Sequence, residues 1–161
     1  MNCSFKSHIL SEYGKETVAL IRRYSKGKES IARHRNNIIF DLRCKKHGIL
    51  PPSLRIKPPI PTVEGQRIAR QAGQQFLNEH LRVANYRKAK LTEELKWTEL
   101  GLRRRLNEHD YKAVTRMADS TGERTFQRTR DKQREKMDNL CARNKKKNCD
   151  HPKKEERKTR L

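Results

Sequence analysis

From Leu77 to Leu102, the residues Leu77, Leu81, Ala84, Leu91, Leu95 and Leu102 keep one seven-residue register, with Lys88 and Thr98 as its polar interruptions. Helices that pair repeat a face about every 3.5 residues, so this spacing draws one narrow apolar seam along a rod. A seam of roughly two positions in seven joins two helices but is too thin to line a globular core. Only 32% of the 161 residues are apolar, against roughly 45–50% in a typical soluble domain by a count that includes Gly. The expected fold is therefore all-α: an extended antiparallel helical hairpin or coiled coil, with a third, loosely attached helix and a disordered basic tail.

Residues 1–49 read as an N-terminal basic helical segment. Its main helix is expected from about Ser11 to about Lys46, where Ile21, Tyr24, Ile31, Ile38 and Leu42 share a register. Gly14 and Gly27 weaken it, at about 1 kcal/mol each relative to Ala, and a break is expected near Gly27. Gly48 is a stop signal. In residues 50–61, Pro51, Pro52, Pro58, Pro59 and Pro61 remove amide donors and hold their predecessors extended, which makes a connector. Its aliphatic residues are suited to cover the seam where the helices meet.

Residues 62–106 form the long central amphipathic helix. Thr62 caps its first turn and Glu64 faces the positive end of the dipole. Ile68, Ala72 and Phe76 lead into the seam, and Trp97 is expected to be partly buried. If the connector reverses the chain, Ile38 or Leu42 lies near Phe76 or Leu77. Residues 107–140 form a third charged helix, capped by Asn107 and interrupted near Ser120, Thr121 and Gly122. Residues 141–161 carry nine Lys or Arg against three acidic residues, with almost nothing apolar, and read as a disordered basic tail.

Forty Lys and Arg against nineteen Asp and Glu leave a net charge of +21. Such an excess calls for an anionic partner, and nucleic acid fits because each phosphate neutralised releases a counterion. The candidate phosphate-binding residues are Arg67, Arg70, Arg82, Arg87, Lys88 and Lys90 around the central helix, with Arg103, Arg104 and Arg105 closing it. Lys145, Lys146, Lys147, Lys153 and Lys154 are a candidate nuclear-import signal. No apolar run approaches the roughly 18 residues a membrane span needs. The first residues lack the pattern of a secretory signal, so a nuclear or cytoplasmic location is expected, with free thiols at Cys3, Cys44, Cys141 and Cys149.

Cys44 and His47 have the spacing of half a zinc site, with Cys141, Cys149 and His151 as conceivable partners. Structural zinc takes closely spaced ligand pairs, so no metal site is expected and Cys44 reads as a small packing residue. His34 and His80 have no implied carboxylate partner. Asp110 beside His109 is in no predicted cleft. The glycines make no phosphate-cradling loop. With no walled pocket to tune a pKa, no catalytic residue and no cofactor are expected, and the chain does not read as an enzyme.

The run FDLRCKKHGILPPSLRIKPPIPTVEGQRIARQAGQQFLNEHLR resembles the helical region upstream of the reverse transcriptase in Penelope-like retroelements. The similarity rests on Leu42, Cys44, Ile49, Pro51, Ser53, Leu54, Lys57, Pro59, Ala72, Phe76, Leu77, Glu79 and Arg82. It covers positions 31–82, extends weakly to Leu140, and departs at Pro52 and Ser53, where many members carry a Lys-Gly pair. The polymerase and endonuclease motifs of that family are absent from this chain. The resemblance implies a non-catalytic front end that handles RNA or DNA, with a reverse transcriptase supplied in trans as a partner.

The expected function is thus sequence-tolerant, phosphate-directed nucleic-acid binding by a non-catalytic helical protein. The alternatives are a coiled-coil interaction module, including a homodimer through Leu77, Leu81, Leu91 and Leu95, or a truncated element remnant without selected function.

Overall fold

The computed structural model of the chain describes residues 1–55 and 60–149, with side chains through residue 146. Among the described residues are four α-helices: α1 (Cys3–Tyr13), α2 (Lys15–Lys46), α3 (Val63–Arg105) and α4 (Glu108–Cys149). A 3-10 turn, Pro52–Leu54, lies in the connector. The all-α class is as expected, and no helix among the described residues is long and apolar enough to cross a membrane.

The helix ends follow local chemistry. Asn2 accepts from the Phe5 amide at the start of α1, and Thr62 accepts from the Gly65 amide at the start of α3. Asn107 accepts from the Asp110 amide at 2.8 Å, so α4 starts at the cap read from the sequence. At the end of α2, Gly48 takes φ +63° while its amide donates to Lys45 O and that of Ile49 to Cys44 O. This left-handed stop satisfies two carbonyls that the helix leaves open, and Ile49 is buried beside it.

The N-terminal segment breaks at Gly14, not near Gly27. Gly14 sits at φ +86°, where any side chain would be strained, and this residue separates α1 from α2. Helix α2 passes through Gly27 unbroken because α3 packs there: a Cβ on Gly27 would lie 2.7 Å from Leu95 Cδ1. Tertiary packing overrides the local propensity.

Helices α2 and α3 run antiparallel, as their seams require. Leu20 faces Gly101, Gly27 faces Leu95, Asp41 meets His80, and Leu50 fills the space beside Gly73. Ile38 packs with Leu77 and Leu81, flanked by Ala84 and Leu54, so the near end of the seam is covered by the connector. Ile56, Lys57, Pro58 and Pro59 lie outside the described residues. Leu42, Ile68 and Phe76 were expected in the seam but are exposed. On α3 the narrow seam centred on Leu77, Leu81 and Leu102 leaves Ile68 and Phe76 about a quarter-turn or more off it.

The third helix is not loosely attached. It lies parallel to α2 along nearly its whole length, whereas α3 and α4 touch little beyond their shared turn. Val114 and Ala118 join Ile9, Val18, Ile21, Tyr24, Leu102 and Leu106 in a core at the turn end. Farther along, Asn36, Thr125, Met137 and Leu140 are buried in the α2–α4 seam. Alanine, threonine and asparagine carry much of this contact, so hydrophobic periodicity understated it. The expected interruption near Gly122 is also absent: α4 runs unbroken through Gly122, which packs against Lys28 at a spacing where even a Cβ would make ordinary contact, so docking on α2 holds the helix through this weak former. Residues 141–149 of the expected disordered tail continue α4, and residues 150–161 lie outside the described residues.

Candidate nucleic-acid interface

The parallel pairing of α2 and α4 decides where positive charge concentrates. Lys28 Nζ meets Asp119 Oδ1 at 2.8 Å, Asn36 bonds to Phe126 O and Thr129, and Cys44 Sγ lies 4.0 Å from Met137 Sδ. The two C-termini therefore finish at the same end of the molecule. Arg43, Lys45 and Lys46 of α2 and Lys136, Arg143, Lys145 and Lys146 of α4 are exposed there, and Arg55 lies near Cys44. None of these eight takes part in an ion pair among the described residues. Cations suit this end because both helix dipoles present their negative poles to it.

The α3 residues nominated from the sequence are scattered around the rod. Arg67 is tied to Glu64, and Arg82 lies 3.6 Å from Glu79. Arg103 sits 5.2 Å above the Tyr111 ring, whose hydroxyl donates to Glu99, and Arg105 lies 3.5 Å from Glu16. Lys88 is half-buried on the seam side, while Arg70, Arg87, Lys90 and Arg104 are exposed. Lys145 and Lys146 belong to the basic end described above. The Lys147 side chain, Lys153 and Lys154 lie outside the described residues.

Two carboxylates, Asp110 and Asp41, are buried and partnered. Asp110 is 3% exposed; Tyr13 donates to its Oδ2 at 2.7 Å, His8 Nε2 lies 3.1 Å from the same oxygen, and His109 Nδ1 lies 3.5 Å from Oδ1. Burial would raise its pKa, but the hydrogen bonds from Tyr13, His8 and His109 outweigh it and hold the carboxyl below its ordinary value. The bond to Asp110 in turn raises the Tyr13 phenol. This cluster binds α1 to the α3–α4 turn, under a groove of about 510 Å3 lined by Asn2, Phe5, His8 and Asn107. A carboxylate held below its ordinary value is a weak base, and its geometry is that of a clasp.

His80, expected to lack a carboxylate partner, lies 3.2 Å from Asp41 across the α2–α3 seam. Burial raises the Asp41 carboxyl even though His80 acts against it. Cys44 is fully buried, as expected of a packing residue, and desolvation pushes its thiol up to about 11. Among the described residues no three His, Cys, Asp or Glu side chains converge as metal ligands would. Trp97, expected to be partly buried, is 68% exposed. The heptad logic that placed Leu95 and Leu102 in the seam turns the ring at position 97 away from it.

Compared with known proteins, the chain matches no family model, no curated protein and no solved structure.

Proposed function

We propose that the chain is a non-catalytic helical protein that binds nucleic acid through its phosphates, without reading base sequence. The observation that carries this reading is the basic end. Parallel α2 and α4 bring seven exposed basic side chains to one place, with Arg55 of the connector as the eighth, none of them ion-paired among the described residues, on a chain of net charge +21. Phosphate contacts position a protein on its ligand but carry no sequence information. The α3 residues Arg70, Arg87, Lys90 and Arg104 add flanking charge along the rod. The resemblance to the region upstream of a reverse transcriptase agrees with this reading, and a polymerase acting in trans on the same nucleic acid is the protein partner it suggests.

The test is the salt dependence of binding to a fluorescent RNA hairpin, followed by anisotropy. If five to eight phosphates are engaged, the log-log slope is roughly 4 to 7. Replacing Lys45, Lys46, Lys145 and Lys146 together by Gln lowers that slope by about three. Replacing Arg103, Arg104 and Arg105 by Gln lowers it by about one, since of the three only Arg104 has no intramolecular partner among the described residues. Absence of saturable binding at about 150 mM salt overturns the reading.

A further inference from the structure

With Leu77, Leu81 and Leu102 buried against α2, the seam expected to support a homodimer is already filled. A second register runs along the opposite side of α3. Phe76, Val83, Lys90, Trp97 and Arg104 recur every seven residues, and Glu79, Tyr86, Glu93 and Leu100 each follow three residues after one of them. At about 100° per residue this stripe lies about 150° from the filled seam. Every residue of it is exposed, including Phe76, Val83, Tyr86, Trp97 and Leu100. It has the spacing of a helix-pairing face, and nothing among the described residues covers it.

We propose that the outer face of α3 pairs with the same face of a second copy of this chain, antiparallel, about a two-fold axis passing between Leu91 and Thr92. A two-fold interface is self-complementary: where residue i meets residue j, j also meets i. In this register Lys90 meets Glu93 of the second copy, Tyr86 meets Trp97, Val83 meets Leu100, and Glu79 meets Arg104. Each acidic residue of the stripe thus faces a basic one, and Val83, Tyr86, Trp97 and Leu100 face one another, while Phe76 lies beyond the paired length, opposite the end of α3. Arg87 and Glu94 flank the central layers and oppose each other as well. Arg82 faces Arg103, but Glu79 and the Tyr111 ring already hold these two.

A parallel pair would set Lys90 against Lys90 and Glu93 against Glu93, so the sequence selects the antiparallel arrangement. Glu79 and Glu93 also make the stripe a poor surface for phosphates, which favours a second copy over stacked bases. Four aromatic rings at about 150 Å2 each supply about 600 Å2 of contact. Val83, Leu100 and the stems of Lys90 and Arg104 bring this toward the ~1,200 Å2 at which specific interfaces begin. The pairing leaves the basic end free but engages Arg87, Lys90 and Arg104 of the flanking charge, so only the chain that is still single offers those three to phosphates; it does not depend on the nucleic-acid reading.

The test is sedimentation equilibrium at about 150 mM salt on nuclease-treated protein, with emission of Trp97, the only tryptophan, recorded across the same concentrations. The wild-type chain is expected to dimerise in the micromolar range, about 1–50 µM, as fits a small interface, with Trp97 emission shifting to the blue as it does so. K90E sets a carboxylate against Glu93 of the second copy, and E93K sets an ammonium against Lys90. Each variant alone is expected to weaken association more than about tenfold, and an equimolar mixture of the two to restore it, because the mixed pair regains opposite charges. Both positions are exposed, and unchanged helicity at 222 nm confirms that the variants are folded. A wild-type chain that stays monomeric to about 100 µM overturns the proposal. So does a dimer indifferent to both variants, or Trp97 emission that responds only to added single-stranded oligonucleotide.

Discussion

Asn36 offers a sharp test of how α4 is held. It is 1% exposed; its amide Nδ2 donates to Phe126 O at 2.8 Å and to Thr129 Oγ1, while its Oδ1 is buried with no hydrogen-bond partner among the described residues. Asn36→Asp keeps the shape but removes the donor, so an ionised carboxylate would face the Phe126 carbonyl. Only the protonated acid can donate there, and retaining that proton at pH 7 costs about 1.4 kcal/mol for each pH unit above an unfolded pKa of about 3.9. The expected destabilisation is about 4 kcal/mol at pH 7. Because the folded-state pKa is raised, the folded state holds the extra proton and the penalty shrinks as pH falls, to below about 1 kcal/mol at pH 4. Asn36→Leu should behave differently. Two donated bonds worth about 1 kcal/mol each are lost, but the unsatisfied Oδ1, a burden of about 1–3 kcal/mol, disappears with them. Thr129 keeps its own bond to Thr125 O, so nothing new is stranded. The expected change is within about 1 kcal/mol of zero. Urea unfolding followed at 222 nm, at one protein concentration and with wild type measured at each pH, gives both differences. A penalty for Asn36→Asp that does not vary with pH, or a cost above about 3 kcal/mol for Asn36→Leu, would refute this account of the seam.

Neighbouring residues on α3 should respond in opposite ways. Leu77→Ala, at a fully buried site, is expected to cost about 2–5 kcal/mol, and Phe76→Ala, at a side chain 68% exposed, less than about 1 kcal/mol; equal losses in urea unfolding would mean that the orientation of α3 is wrong. Asp110→Asn is expected to lower stability by about 1–3 kcal/mol at neutral pH, from the charge-assisted hydrogen bonds it gives up. The folded-state pKa of Asp110 lies below its ordinary value, so that stabilisation is present above about pH 4 and is lost as pH falls through the folded value. A gap between wild type and variant that widens on acidification would contradict the clasp. Cys44, buried and pushed up to about 11, should react with a thiol reagent at pH 8 only after urea unfolding, while exposed Cys3 reacts in the folded protein.

By itself the sequence determined where the long helices lie and how the first pair of them meets, though not the break at Gly14 or the unbroken course through Gly27 and Gly122. The heptad leucines, the prolines of the connector and the caps at Thr62, Asn107 and Gly48 act over a few residues, so the chain writes them locally. The antiparallel return of α3 follows from them, because two narrow seams joined by a short connector have few other ways to become buried. The docking of α4 depended on contacts between residues roughly ninety positions apart, such as Asn36 with Phe126 and Cys44 with Met137. Those contacts run through small and polar side chains that carry little hydrophobic signal. The parallel course of α4 set the basic end, joining charges from distant segments that no local pattern links. Tertiary structure also decided that Phe76 and Trp97 face outward. A helix carrying apolar residues on two sides does not say which side its neighbour will take, and α2 took the one with the leucines.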